Sequence, residues 1–121
     1  MDTRKNQGFW TRLRFALAGL AHGLRTEQSL KTQSLAFVLV IIVLAVLRPA
    51  PLWWALVILA STAVLAAELF NTAIERLADH LHPEKHPEIR IVKDCAAAAV
   101  LVAVIGALSV AAALCFELTR R

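Results

Sequence analysis

The sequence predicts an all-α membrane protein: three transmembrane helices preceded by an N-terminal amphipathic surface helix. Apolar residues make up 59% of the 121-residue chain and mean hydropathy is +0.64, well above the ~45–50% apolar usage of soluble domains. Three apolar runs stand apart, Ser34–Leu47, Leu52–Ala67 and Cys95–Phe116; a bilayer core requires ~20 residues of helix. Ahead of them, Phe9, Leu13, Leu17, Leu20 and Leu24 recur at roughly helical spacing among basic residues. The length suits one domain, 1–121. The formal charge is +4 and the pI about 9.7. Such an excess can meet nucleic acid or an anionic membrane surface. The long apolar runs favour the membrane and leave no place for a nucleic-acid partner.

The first element is expected over 9–31. Arg12, Arg14, Arg25 and Lys31 decorate the remainder, which suits a helix lying in the headgroup plane. Gly19 and Gly23 weaken it. The opening segment MDTRKNQGFWTRLR lacks the apolar core and cleavage site of a signal peptide. The first span is expected over 32–48, its short run lengthened by Ser29–Gln33. Arg48-Pro49-Ala50-Pro51 then breaks the helix in a tight hairpin. Trp53 and Trp54 stand beside it, where an aromatic belt belongs.

The second span, over 52–80, continues past the apolar run as a helical extension. A loop is expected over 81–92 and the third span over 93–117. The third span carries Ala96–Ala99, Ala103, Gly106 and Ala107, a small-residue face suited to close helix packing. Cys95 and Cys115 would lie about 30 Å apart on one helix, too far to bridge, and read as packed small residues.

Orientation follows the positive charges. Arg4, Lys5, Arg12, Arg14, Arg25 and Lys31 precede the first span, and Arg76, Lys85, Arg90 and Lys93 follow the second. Only Arg48 lies in the first hairpin, and Arg120 and Arg121 oppose the bias. The N-terminal segment and the long loop are therefore expected on the cytoplasmic side.

The chemistry gathers at that rim. On a continuous helix, Asn71, Glu75 and Asp79 lie at about 300°, 340° and 20° from Glu68, so four oxygen-bearing side chains share one stripe. Phe70 and Leu77 occupy the opposite face. Glu68 is flanked by Ala66, Ala67, Leu69 and Phe70, and an acid at that depth is costly without a cation or partner. Hard oxygen ligands suit Mg²⁺, which takes one or two carboxylates and leaves other positions to phosphate and water. Lys93-Asp94 stands at the start of the third span and Glu27 just before the first. Carboxylates, an amide, a lysine and a basic surface helix are the parts that phosphoryl transfer requires. Each also has a structural reading: Glu75 and Arg76 as a helix end, Asn71 as interhelical glue, Asp94 as a first-turn acid. His80, His82 and His86 match no strong metal-ligand spacing and read as a polar loop over the site. No P-loop or protein-kinase motif is present in the sequence.

Glu68-Leu69-Phe70-Asn71-Thr72-Ala73-Ile74-Glu75 resembles the signature octapeptide of the bacterial integral-membrane diacylglycerol kinases. Lys93-Asp94, eighteen residues after Glu75 and followed by a small-residue helix, resembles their second element, and Arg25-Thr26-Glu27 their third. The likeness runs from about Gly19 to Phe116. It implies a homotrimer in the bacterial inner membrane that transfers the γ-phosphoryl of MgATP to a lipid hydroxyl at the cytoplasmic face. Glu68 then resembles the catalytic base, and Glu27 and Glu75 the ligands of metal and nucleotide. Asn71, Lys93 and Asp94 resemble the other active-site polar residues, Lys93 and Asp94 also on the nucleotide side. Glu84, Lys85 and His86 resemble the loop that contacts ATP. Lys31 and Gln33 depart from the diacylglycerol enzymes, and Arg12, Arg14 and Phe15 lie before the matched region. The Arg-Thr-Glu step and the His-Pro pairs also resemble relatives acting on undecaprenol, so diacylglycerol and undecaprenol both stand as expected substrates. The non-enzymatic alternative is a membrane ion-binding or assembly subunit using Glu68 and Glu75 as its ion site.

Overall fold

The computed structural model describes residues 6–120. Arg4, Lys5 and Arg121 of the charge balance lie outside the described residues. Four helices follow one another: α1 (Phe9–Thr26), α2 (Gln28–Leu47), α3 (Pro51–Leu81) and α4 (Pro87–Thr119). Among the described residues there is no strand, and α2, α3 and α4 are each long and apolar enough to cross a membrane. This is an all-helical membrane protein.

Helix length decides where the polar residues go. At ~1.5 Å per residue, α2 spans about 30 Å, but α3 and α4 run to about 46 and 50 Å. The hydrocarbon core is only ~30 Å thick. The excess of α3 and α4 therefore projects beyond it as a packed helical hairpin.

Local chemistry sets both turns. Arg48 adopts the left-handed conformation (φ 47°) after α2, and Pro51 opens α3 at its first position. Proline suits that position because its missing N–H would be unpaired there anyway. At the other end His82 terminates α3 and Pro83 bars its continuation. His86 caps α4: its Nδ1 accepts the Glu88 N–H at 3.2 Å. Pro87 takes the first position and Glu88 places an acid in the first turn, where the helix dipole favours it. The loop expected over 81–92 is thus a turn over 82–86, and α4 starts at Pro87 rather than 93. Apolar composition marks where the chain enters the bilayer; capping marks where the helix begins.

The surface helix differs from its expected 9–31 extent in the same way. It ends at Thr26, Glu27 is extended (φ −102°, ψ 118°), and α2 begins at Gln28. The chain must change direction between these helices, and Glu27 is where it does so. The Glu27 N–H still reaches the Gly23 carbonyl at 2.8 Å, and Thr26 Oγ1 donates to the His22 carbonyl at 3.0 Å.

The protomer buries little. At the end away from the 82–86 turn, Leu44, Val57 and Leu114 form a core, with Trp53, Trp54, Ile41, Val110 and Leu118 packed on it. On α4, Ala96 is buried and Ala103 and Ala107 half-buried, but Ala97–Ala99 and Gly106 are exposed. Cys95 and Cys115 are exposed too, not packed as expected, because α3 covers only one stripe of α4.

At the other end, α1, α2 and α3 meet at Gly23. A Cβ there would lie 2.8 Å from Leu30 Cδ2 and 3.3 Å from Leu69 Cδ2, and Leu30 is fully buried. Arg76 of α3 completes the join, donating to Thr26 Oγ1 at 3.0 Å and to Glu27 Oε1 at 2.7 Å. The hydrogen bond from Arg76 holds the Glu27 carboxyl below its ordinary value of 4.5. Desolvation opposes this, and the Thr26 hydroxyl and the Arg76 and His22 charges assist it.

Gly23→Val should overpack this junction and cost about 1–3 kcal/mol. Thermal unfolding in detergent micelles would show a lowered Tm; an unchanged Tm would mean Leu30 has room to move. A depressed native pKa makes the Glu27 contribution complete above 4.5 and lost as pH falls through the native value. Glu27→Gln should therefore melt below the wild type at neutral pH, and the two curves should converge in acid. A constant gap across that range would contradict the pairing.

Candidate functional site

Glu68 lies seventeen residues along α3 from Pro51, about 26 Å at ~1.5 Å per residue. That places it near one boundary of the hydrocarbon. It is 5% exposed, the buried charged side chain among the described residues. α3 runs unbroken through Leu81, so Asn71, Glu75 and Asp79 follow Glu68 along one stripe, while Phe70 and Leu77 face away and are exposed. Asn71 is half-buried, and its Oδ1 is buried with no hydrogen-bond partner. Glu75 is half-buried. Among the described residues neither Glu68 nor Glu75 makes an ion pair, whereas Asp79, one turn further, is held by Lys93 of α4.

Lys93 and Asp94 lie well inside α4 rather than at its start. Lys93 is half-buried and turned to Asp79. Asp94 faces Arg90 one turn back at 3.8 Å, both largely exposed. A pair so exposed contributes little stability.

A cavity of about 890 Å³ opens between the ends of α3 and α4. Glu84, Lys85, His86, Lys93 and Asp94 line it together with Asp79, His82 and Arg90. The His82 and His86 rings are 5.3 Å apart. Lys85, Arg90 and Lys93 meet the positive end of the α4 dipole there, balanced by the acids Asp79, Glu84 and Asp94 of the same lining. Glu27, Glu68, Asn71 and Glu75 do not line this cavity. The structure thus forms two groups: a cavity at the hairpin of mixed charge, with Lys85, Arg90 and Lys93 facing Asp79, Glu84 and Asp94, and a carboxylate–amide stripe nearer the bilayer. The Asp79–Lys93 pair joins them. Glu27 is brought to the α3 turn carrying Glu75 by Arg76.

Mg²⁺ was expected at Glu27 and Glu75. Among the described residues no three His, Cys, Asp or Glu side chains converge as a closed cage. The candidate ligands are oxygen donors: the Glu75 carboxylate, in no ion pair among the described residues, the orphaned Asn71 Oδ1 and a Glu27 carboxylate whose contacts use only Oε1. This set fits an ion that keeps waters and phosphate oxygens among its ligands.

Two features escaped the sequence. Arg76 is separated from Glu27 by 49 residues, and nothing local couples them. The Asp79–Lys93 pair did leave a signal, since both residues stand seven positions from His86. Folding the hairpin about that cap opposes them.

The sequence model of a family described as prokaryotic diacylglycerol kinase matches residues 14–115. A curated "Diacylglycerol kinase" from Synechocystis sp. is 35% identical over 98 residues, which is 80% of this chain and 56% of the relative. The chain therefore spans little more than half the length of that relative. The matched stretch contains the junction, the stripe and the cavity, and the chain belongs to the prokaryotic diacylglycerol kinase family.

Proposed function

We propose that this protein is a membrane lipid kinase that transfers the γ-phosphoryl of MgATP to the hydroxyl of diacylglycerol, giving phosphatidic acid. The observation that carries this reading is the buried Glu68, in no ion pair among the described residues, beside the orphaned Asn71 Oδ1, on the same helix whose end lines a cavity rich in charged side chains. A buried acid without a partner is costly. One held at a bilayer boundary, on the helix that runs on to a cavity carrying Lys85, Arg90 and Lys93, suits a reaction between a soluble phosphate donor and a lipid alcohol.

In this mechanism Glu68 accepts the proton of the lipid hydroxyl as its oxygen bonds to the γ-phosphorus. The bond to the β-phosphate bridging oxygen breaks and ADP departs. Asn71 orients the attacking hydroxyl. Lys85 and Lys93 draw the phosphates into the cavity, Glu84 and His86 border the nucleotide, and Asp79 and Asp94 hold the cations around it in place. Bound Mg²⁺, held by Glu27 and Glu75, would neutralise phosphate charge. The surface helix α1 exposes Phe9, Trp10, Leu13 and Leu17, an apolar face for the lipid side of the interface. The exposed small residues Ala97–Ala99 and Gly106 support a homotrimer packed through such faces. The basic residues of α1 and of the 82–86 turn support a cytoplasmic site in the bacterial inner membrane.

Arg25-Thr26-Glu27 and the two His-Pro steps favour undecaprenol as the second substrate to test. Purified protein in micelles, given labelled ATP with diacylglycerol or undecaprenol in parallel arms, distinguishes them. Label appearing only in undecaprenol would replace the substrate named here, and label in neither lipid would favour the ion-binding reading. Because a general base contributes ~10²–10⁴-fold, Glu68→Gln should reduce turnover at least about 100-fold in that assay with its elution volume unchanged. Wild-type turnover would remove Glu68 from the base role. Glu75→Gln should shift the Mg²⁺ titration of activity to higher concentration; a superimposable titration would contradict its assignment.

A further inference from the structure

We infer that Arg76 is a positioning residue whose clamp on Glu27 sets the spacing between Glu27 and Glu75. This rests on the proposed reading of those two carboxylates as Mg²⁺ ligands. They come from separate elements. Glu75 stands on α3, which is rigid, whereas Glu27 is the extended residue between α1 and α2. A single extended residue between helices leaves its side chain free to swing unless something fixes it. Arg76 does so from the position next to Glu75. Its Nη2 donates at 2.7 Å to Glu27 Oε1 and at 3.0 Å to Thr26 Oγ1. Thr26 Oγ1 also lies 3.2 Å from Glu27 Oε1, so hydroxyl and guanidinium hold the same carboxylate oxygen. Glu27 Oε2 takes no part in these contacts and keeps its lone pairs for a cation.

The sign of the effect discriminates between two physical roles. A guanidinium so close to a carboxylate adds positive charge, which by itself opposes a second cation. If charge were all that mattered, removing Arg76 would tighten Mg²⁺ binding. Mg²⁺, however, demands near-ideal octahedral geometry, and partners that orient its ligands are typically worth 10–100-fold in affinity. A clamp therefore makes the opposite prediction: without Arg76, Mg²⁺ binds more weakly. Arg76 is half exposed, so it can be replaced without opening a cavity in the core.

Calorimetry on the full chain in detergent, titrating Mg²⁺ in the presence of a non-hydrolysable ATP analogue and without lipid, measures this directly. Arg76→Gln should weaken Mg²⁺ binding by about 10–100-fold. Arg76→Lys, which can still reach one oxygen, should recover most of the loss. Raising Mg²⁺ should restore turnover of Arg76→Gln in the lipid assay, because positioning rather than chemistry is impaired. Unchanged or tighter Mg²⁺ binding by folded Arg76→Gln would overturn the clamp. Should Arg76→Gln not fold, Thr26→Val decides: it removes the hydroxyl's contacts with Arg76, Glu27 and the His22 carbonyl and no charge. Weakened Mg²⁺ binding by Thr26→Val supports the clamp, and wild-type affinity would overturn it. A wild-type protein showing no Mg²⁺-dependent nucleotide binding would instead sink the kinase reading itself.

Discussion

Charge is expensive in hydrocarbon, and α3 is arranged around that cost. An acidic side chain at the centre of a spanning helix costs ~2.5 kcal/mol or more, whereas an exposed ion pair returns ~0–1 kcal/mol. No rim pair could therefore offset an acid placed at mid-membrane. The chain avoids the problem by position: Glu68, Asn71, Glu75 and Asp79 all fall in the last fourteen residues of a 31-residue helix. The outermost, Asp79, is exposed and matched by Lys93; the innermost, Glu68, is buried and unmatched. Polarity is matched where water could have served and left open where it could not.

Helix length decides where this arrangement lies. α3 and α4 exceed the bilayer core by well over a turn each, so their ends leave the membrane together. A five-residue turn, 82–86, joins them, and its two histidine–proline steps give each helix a defined end. Side chains on rigid, packed helices are held more tightly than side chains on loops. Asp79, Arg90, Lys93 and Asp94 all benefit from this, and Arg90 stands on a helix rather than in the loop expected over 81–92.

The α1–α2 junction solves a different problem. A helix in the headgroup plane must hand over to one that crosses the bilayer, and the turn happens within one residue, Glu27. Gly23 permits the close approach of Leu30 and Leu69, while Arg76 supplies the polar half of the join. The remainder of α1 presents exposed Phe9, Trp10, Leu13 and Leu17, the Phe9 and Trp10 rings meeting edge to face at 5.3 Å. Amphipathic aromatic residues of this kind suit the interface between headgroups and acyl chains.

The all-helical class, the three spans, the 52–80 helix and the Glu68–Asp79 stripe were legible in the sequence, because hydropathy and the 100° helical step are local properties of the chain. The octapeptide from Glu68 to Glu75 also carried the family, since it preserves spacing on one helix. Helix starts at Pro87 and Gln28 were less legible, because apolar content reports the membrane and capping reports the helix. The exposure of Cys95 and Cys115 depended on which stripe of α4 meets α3. The pairing of Asp79 with Lys93 needed only the place of the hairpin turn, but that of Glu27 with Arg76 came only from the tertiary structure. It joins the residue between α1 and α2 to α3, and which residues meet there depends on how those helices pack, a quantity that no local pattern contains.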